Sequence, residues 1–110
     1  MKVYWKKRWI KALRSGKYEQ GKGALRRPAL RGNRAAEFCC LGVLCEVLEL
    51  PRVYTGYKNP ETKRIHYVGL DPELLDKVGL TGKQQALLMH LNDAEGKTFQ
   101  EIAAYISRNL

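Results

Sequence analysis

Residues 37–49, EFCCLGVLCEVLE, are the most apolar stretch of the chain and decide how the rest must fold. Wound into a helix, the stretch is apolar nearly all round, which is typical of a helix buried on every side. Leu50-Pro51 ends such a helix, because a residue before proline disfavours helical backbone. A buried strand over residues 38–44 is the alternative, since short apolar runs suit both structures. We favour a buried helix at the centre of the core.

The stretch before this helix is rich in glycine and arginine. Residues 17–34, KYEQGKGALRRPALRGNR, are called the glycine–arginine segment from here on. Its glycines and Pro28 interrupt any helical pattern. The segment is therefore predicted to be a loop, with at most a short hairpin inside it.

A helix is predicted at the start of the chain, over Val3–Arg14. Trp5, Trp9 and Leu13 recur at helical spacing and are predicted to anchor it in the core, and Gly16 would end it. The cations Lys7, Lys11 and Arg14 fall on another face. A basic amphipathic helix of this kind also suits an anionic membrane surface or a partner's groove. At about three turns, packing on its own core is favoured.

After the apolar helix the periodicity changes to that of strands. Residues 52–69 alternate in two short runs around the turn sequence KNPET, which predicts a hairpin. Helical signals follow: Asp71-Pro72 starts a short helix that ends near Gly79. Capping boxes begin two more helices at Thr81–Gln84 and Thr98–Glu101, separated by a predicted loop over 92–96. The predicted fold is α+β, mostly helical with one β-hairpin or small antiparallel sheet, in a single domain over residues 1–110.

The composition restricts the class of protein. The chain has 110 residues, 45% of them apolar, and a net charge of +9. Residues 1–34 contain twelve Lys and Arg and one acid, a net charge of +11. Residues 35–110 contain eight Lys and Arg and ten acids, a net charge of −2. No apolar run approaches the roughly 20 residues of a membrane span, and no signal peptide is recognised. We expect a cytosolic protein whose basic first third meets an anionic partner.

Residues that often perform chemistry have structural explanations here. Cys39, Cys40 and Cys45 are odd in number and lie in the most apolar run, so we expect core residues rather than a disulfide framework, a zinc site or a nucleophile. His90 is expected to be packed and hydrogen-bonded within its helix, whereas His66 on the hairpin is a candidate for facing a ligand. We therefore predict no catalytic residue, no metal and no cofactor, and rank an enzyme last.

Three stretches resemble small accessory proteins of tailed bacteriophages: ALRSGKYEQGKGALR, EFCCLGVLCEV and HLNDAEGKTFQEIAAYI, at residues 12–26, 37–47 and 90–106. The hairpin region is the least similar part. The resemblance implies a phage origin, action in the host bacterial cytoplasm, and a role in inhibiting host defences or redirecting host machinery. It assigns no activity and no site residue.

The glycine–arginine segment is the best candidate for a binding site. Glycines let the backbone approach an anion, and arginine grips phosphate through a planar fork of donors. Tyr18 is placed to stack on a base. The predicted ligand-binding residues are Arg14, Lys17, Tyr18, Lys22, Arg26, Arg27, Arg31, Arg34 and His66.

These residues predict a non-enzymatic protein that binds a phosphate-bearing small molecule, with a nucleotide or cyclic nucleotide favoured. The sharper hypothesis is an anti-defence sponge that sequesters a nucleotide immune signal, and a homo-oligomer would let loops of two subunits close over one ligand. Two alternatives stay open. One is a nucleic-acid-binding protein, and the other is an inhibitor that docks on an acidic host protein.

Overall fold

The computed structural model describes residues 1–29 and 35–110. Within these ranges, helices and two small sheets form an α+β fold, as the sequence predicts. The helices are α1 (Val3–Arg14), α2 (Cys40–Val47), α3 (Pro72–Val78), α4 (Gly82–Asp93) and α5 (Phe99–Asn109). The first sheet contains β1 (Glu19–Gln20), β2 (Arg26–Arg27) and β3 (Glu37–Phe38), and the second contains β4 (Arg52–Val53), β5 (Gly56–Lys58) and β6 (Ile65–His66).

Helix α1 has the predicted bounds and packs against α2 and α5. Trp9 and Leu13 are only 0% and 2% exposed, and the Trp9 indole Nε1 donates to the Cys40 carbonyl at 2.9 Å. Trp5 is half-buried, with its ring in edge contact with Tyr4. The apolar face of α1 around Trp9 and Leu13 is thus used by the protein's own core.

Helix α2 lies at the centre of the core, as predicted, with every residue from Cys40 to Cys45 buried. It starts three residues later than expected because Glu37 and Phe38 pair as strand β3. The Cys39 sulfur then caps the helix by accepting from the Gly42 amide at 3.4 Å. The sequence pattern therefore identified the helix and missed the strand that leads into it.

The first sheet has the strand order β1-β3-β2, with β1 parallel and β2 antiparallel to the central β3. Strands β1 and β2 both belong to the glycine–arginine segment, yet they do not pair with each other. The short hairpin expected inside the segment is wrong, because residues 37–38 lie between its two arms.

The second sheet is a three-stranded meander rather than a single hairpin. The arm predicted over residues 53–57 turns at Tyr54 and Thr55, where Tyr54 has a left-handed φ of 51°. The hairpin arms β5 and β6 are confirmed around the KNPET turn. Tyr57 and His66 are paired across these two strands and point towards the core.

The helix starts of the C-terminal half are confirmed. Asp71 caps α3 by accepting from the Leu74 amide, and Gly79 ends it with a left-handed φ of 77°. Both predicted capping boxes are formed at the starts of α4 and α5. The apolar stripe of α5 is buried throughout: Phe99, Ile102, Ala103 and Ile106.

The loop predicted over residues 92–96 is wrong at its start, because α4 continues through Asp93. Asn92 is fully buried and its amide oxygen accepts from Gln20 Nε2 at 2.9 Å and from the Cys40 amide at 3.2 Å. Its amide nitrogen donates to the Gly21 carbonyl at 2.9 Å and to the Asp93 carboxylate at 2.8 Å. Asn92 therefore fastens the glycine–arginine segment to the start of α2.

His90 is another departure from expectation. Its side chain is exposed and lies 3.3 Å from the Glu95 carboxylate, instead of packing within the helix. Across the described residues, no helix is both long enough and apolar enough to cross a membrane.

Candidate functional site

A surface groove of about 290 Å³ runs beside the last turns of α1. Two further walls come from the turn that follows α1 and from the end of α2. The exposed surface of the groove is mostly apolar, three cations and two hydroxyl-bearing residues border it, and no carboxylate contributes to the lining. The lining residues are Arg8, Lys11, Ala12, Ser15, Lys17, Tyr18 and Val47.

Helix geometry explains why α1 supplies three of these residues and its C-terminal cap, Ser15, a fourth. Arg8, Lys11, Ala12 and Ser15 are spaced three or four residues apart, so they share one side of the helix. The buried Trp9 and Leu13 fix the rotation of α1 about its axis, and the Trp9 hydrogen bond to α2 reinforces it. The groove wall is therefore held by the core.

A tight turn brings the chain back over the groove. Ser15 Oγ donates to the Ala12 carbonyl at 2.6 Å and accepts from the Lys17 amide at 3.1 Å. Gly16 has a φ of 74°, a left-handed conformation that glycine adopts without strain. The turn directs Lys17 and Tyr18 into the groove, where the Lys17 ammonium lies 5.5 Å from the Tyr18 ring centroid.

Tyr18 is a rigid part of the groove. Its ring packs edge-on against the buried Phe38, with centroids 5.1 Å apart. Phe38 belongs to β3, so the first sheet supports the ring from behind. A half-buried aromatic ring held in this way loses little conformational entropy when a base stacks on it.

Of the predicted ligand-binding residues, Lys17 and Tyr18 come together in the groove. Arg14 is exposed on the last turn of α1 and does not line it. Lys22 is exposed in the turn between β1 and β2. Arg31 and Arg34 lie outside the described residues.

Arg26 and Arg27 are directed at backbone carbonyls. Arg26 Nη1 donates to the Tyr54 carbonyl at 3.1 Å, which links the two sheets, while its buried Nε has no hydrogen-bond partner. Arg27 places Nε and Nη2 on the Lys22 carbonyl at 3.2 and 3.0 Å. Because successive strand residues point to opposite faces, the two arginines do not form one patch.

His66 is held in a polar cluster with Asp71. Its side chain is 11% exposed, and Nε2 lies 3.0 Å from Asp71 Oδ2 at an angle too poor for a hydrogen bond. The same oxygen is approached by Asn59 Nδ2 at 3.3 Å and Thr62 Oγ1 at 3.4 Å. Burial alone would raise the pKa of Asp71, but the Leu74 amide, Asn59 and His66 together lower it. His66 therefore joins the meander to α3.

The cysteines are placed as expected, since all three are buried and free. Burial raises the pKa of the Cys39 thiol to about 11 and raises the pKa values of Cys40 and Cys45 as well. Thiolate is the nucleophilic form, so these side chains stay protonated and unreactive near neutral pH. They contribute packing and, at Cys39, a helix cap.

Sequence reasoning missed Arg8, Lys11, Ser15 and Val47 as groove residues. The helical spacing of the first three was available in the sequence, but the glycines drew the prediction to the segment after α1. Val47 comes from a distant part of the chain, and only the packing of α1 on α2 places it there.

The fold and the groove define a small α+β protein with a basic surface groove whose lining contains no Asp or Glu. Residues 1–67 match the family described as domain of unknown function DUF8296. The match covers more than half of the chain, so the chain belongs to this family. It includes α1, both sheets and α2, and therefore every residue that lines the groove. No curated protein and no solved structure matches the chain.

Proposed function

We propose that this protein binds a phosphate-bearing ligand in the α1 groove. The observation that carries the proposal is the lining itself: Lys11, Lys17 and the stem of Arg8 border one concave surface without a carboxylate. Cations that meet in this way favour an anion, and the planar fork of donors on arginine can bind two phosphate oxygens at once.

A nucleotide suits the groove better than a bare anion. Its volume of about 290 Å³ is near the lower limit of small-molecule pockets. The Tyr18 ring gives a base a surface for stacking, and the Tyr18 hydroxyl can donate a hydrogen bond to a sugar or phosphate oxygen. The ligand class is therefore a nucleotide or a chain of nucleotides.

Binding without chemistry is the role that we assign to the site. Sequestration of a nucleotide immune signal requires only affinity, and the resemblance to phage accessory proteins provides the setting, an anti-defence protein in the host cytoplasm. The protonated thiols and the fixed His66 support a site that holds its ligand unchanged. A second copy of the chain would enclose the open side of the groove.

The test is mass spectrometry of phosphate-bearing compounds released on denaturation. The protein is purified from bacteria that express candidate defence systems. We expect a stoichiometric nucleotide or oligonucleotide with the wild-type chain, and its loss from Arg8→Gln/Lys17→Gln. Both groove side chains are exposed, so melting should stay within about 0.5 kcal/mol of wild type.

The matched control is Lys63→Gln/Lys83→Gln, which removes the same charge from exposed sites away from α1. This variant should keep the ligand. If the groove variant retained the compound, the binding site would lie elsewhere on the protein. If wild-type protein released no nucleotide under any condition, the proposal would be wrong.

A further inference from the structure

The cations of α1 continue beyond the groove. Lys7, Lys11 and Arg14 recur at four and three residues, so they form one exposed row along the helix. The helix has 12 residues and is therefore about 18 Å long. The first acid in the sequence is Glu19, so no carboxylate interrupts this row.

Lys7, Lys11 and Arg14 form no ion pair within the described residues. The ion pairs within the described residues involve Arg52, Arg64, His66, His90 and Lys97, none of which is on α1. The opposite face of α1 is in the core, so the row cannot rotate away from solvent. A fixed line of uncompensated charge fits an extended polyanion better than a single small anion.

Stacking surfaces lie at both ends of the row. Near the start of α1, Tyr4 is 55% exposed and the Arg8 guanidinium lies 3.6 Å from its ring centroid. Guanidinium planes and aromatic rings are the platforms on which proteins stack unpaired bases. Tyr18 supplies the second platform, in the groove at the other end.

We infer that a single strand of nucleic acid lies along α1. Its phosphates contact Lys7, Lys11 and Arg14, and its bases stack at Tyr18 and at the Arg8–Tyr4 pair. A single strand is favoured because one row of cations follows one backbone, while the aromatic platforms need bases that are not paired. This inference rests on the proposed function, since the groove would hold one nucleotide of the strand.

Fluorescence anisotropy with labelled oligothymidylate of about eight nucleotides tests the inference, a length within the usual range for one single-strand site. With Lys7, Lys11 and Arg14 on phosphates, log affinity should fall with log salt at a slope of about −2, from about −0.7 per phosphate contact. Unlabelled thymidine monophosphate should compete weakly, and with a much shallower salt dependence.

Variants outside the groove separate this inference from the proposed function. Lys7→Gln/Arg14→Gln should weaken the oligonucleotide at least about tenfold at low salt and leave competition by the monophosphate unchanged. Lys63→Gln/Lys83→Gln should leave oligonucleotide binding and competition by the monophosphate as in wild type. Tyr18→Leu should weaken the oligonucleotide by about 5- to 100-fold, and Tyr18→Phe should restore it.

Four outcomes would count against it. If the monophosphate competes as well as the oligonucleotide, and the Lys7/Arg14 variant binds normally, the single-strand inference is wrong and the proposed nucleotide site in the groove still stands. If neither probe binds, the groove also fails. If a duplex of the same length bound more tightly than the single strand, the ligand would be double-stranded nucleic acid. If poly-glutamate competed as well as the oligonucleotide, the row would be a general surface for polyanions.

Discussion

Helix α1 and the glycine–arginine segment are both strongly basic, yet they use their cations in opposite ways. On α1 the charged groups extend from a helix whose other face is buried, and within the described chain none of them forms an ion pair. In the segment, Arg26 and Arg27 direct their guanidinium groups to the carbonyls of Tyr54 and Lys22. The same residue types extend from the surface in one place and fasten neighbouring parts of the chain in the other.

The backbone explains the difference. A helix satisfies most of its own carbonyl groups, so side chains along it have few backbone acceptors to reach. Strands of two residues and the turns between them leave carbonyls unpaired, and arginine carries five donors that can fill them. A count of cations therefore does not tell how many are available to a ligand.

The largest expected effect comes from Gly42→Ala, because Gly42 is the residue of α2 against which the glycine–arginine segment packs. A Cβ at this position would overlap the backbone carbonyl of Leu25, a buried residue of the segment. Neither backbone can yield easily, so we expect a loss of about 3 kcal/mol or more in the free energy of unfolding. Urea denaturation measures it.

The matched control is Gly82→Ala at the start of α4, where an added Cβ meets nothing within 4 Å. Alanine favours a helix, so this change should be neutral or stabilise by up to about 1 kcal/mol. If Gly42→Ala were as mild as its control, the segment would not be seated against α2 as described.

Elements governed by neighbouring residues were predictable from the sequence. The capping boxes, the Asp71 cap and the two faces of α1 depend on residues at most four positions apart. Strands β1 and β2 escaped prediction because two residues carry no periodicity and their partner is residues 37–38. Asn92 escaped as well, since its role depends on the distant Gly21 and Cys40.

The candidate site was predictable to a similar extent. Lys17 and Tyr18 were identified because they adjoin the glycines, and both line the groove. The contribution of Arg26 and Arg27 was not foreseeable, because whether an arginine meets a carbonyl or solvent depends on the tertiary turn. The position of His66 beside Asp71 likewise follows from the packing of the meander on α3.

A pair of substitutions of intermediate effect sharpens the comparison within the segment. Arg26→Met should lower the free energy of unfolding by about 1 kcal/mol, because Arg26 is a half-buried residue whose guanidinium bonds the Tyr54 carbonyl of the other sheet. Arg27→Met should cost about 0.5 kcal/mol or less, since its bonds to Lys22 are exposed. Thermal melting of the two variants side by side measures the difference. Equal melting temperatures would mean that Arg26 does not join the sheets.

The smallest expected effect is a pH dependence near Arg26. Glu46 accepts from Arg52 Nε and Nη2 at 2.9 and 2.6 Å and from the Tyr57 hydroxyl at 2.8 Å. Burial alone would raise the pKa of Glu46, but the bonds from Arg52 and Tyr57, with the charge of Arg26, lower it below the usual 4.5. Its stabilising contribution is therefore complete above that value and is lost as the pH falls through the lowered pKa.

Unfolding by urea at a series of pH values between about 6 and 3 measures this dependence. Glu46→Gln should flatten the decline below pH 4.5, the usual pKa of the group. Glu61→Gln serves as the matched control and should retain the wild-type profile, because Glu61 is exposed and its carboxylate forms no ion pair within the described residues. A profile that Glu46→Gln leaves unchanged would show that this carboxylate does not contribute to the acid sensitivity.

The strand order of the first sheet has a consequence for the order of folding events. Its central strand is the last of the three in the chain, so β1 and β2 have no sheet partner until residues 37–38 arrive. During synthesis the glycine–arginine segment therefore leaves the ribosome before it can pair, whereas the backbone hydrogen bonds of α1 are all local. Since long-range contacts form after local ones in most small domains, the segment should close onto a helical nucleus late in folding.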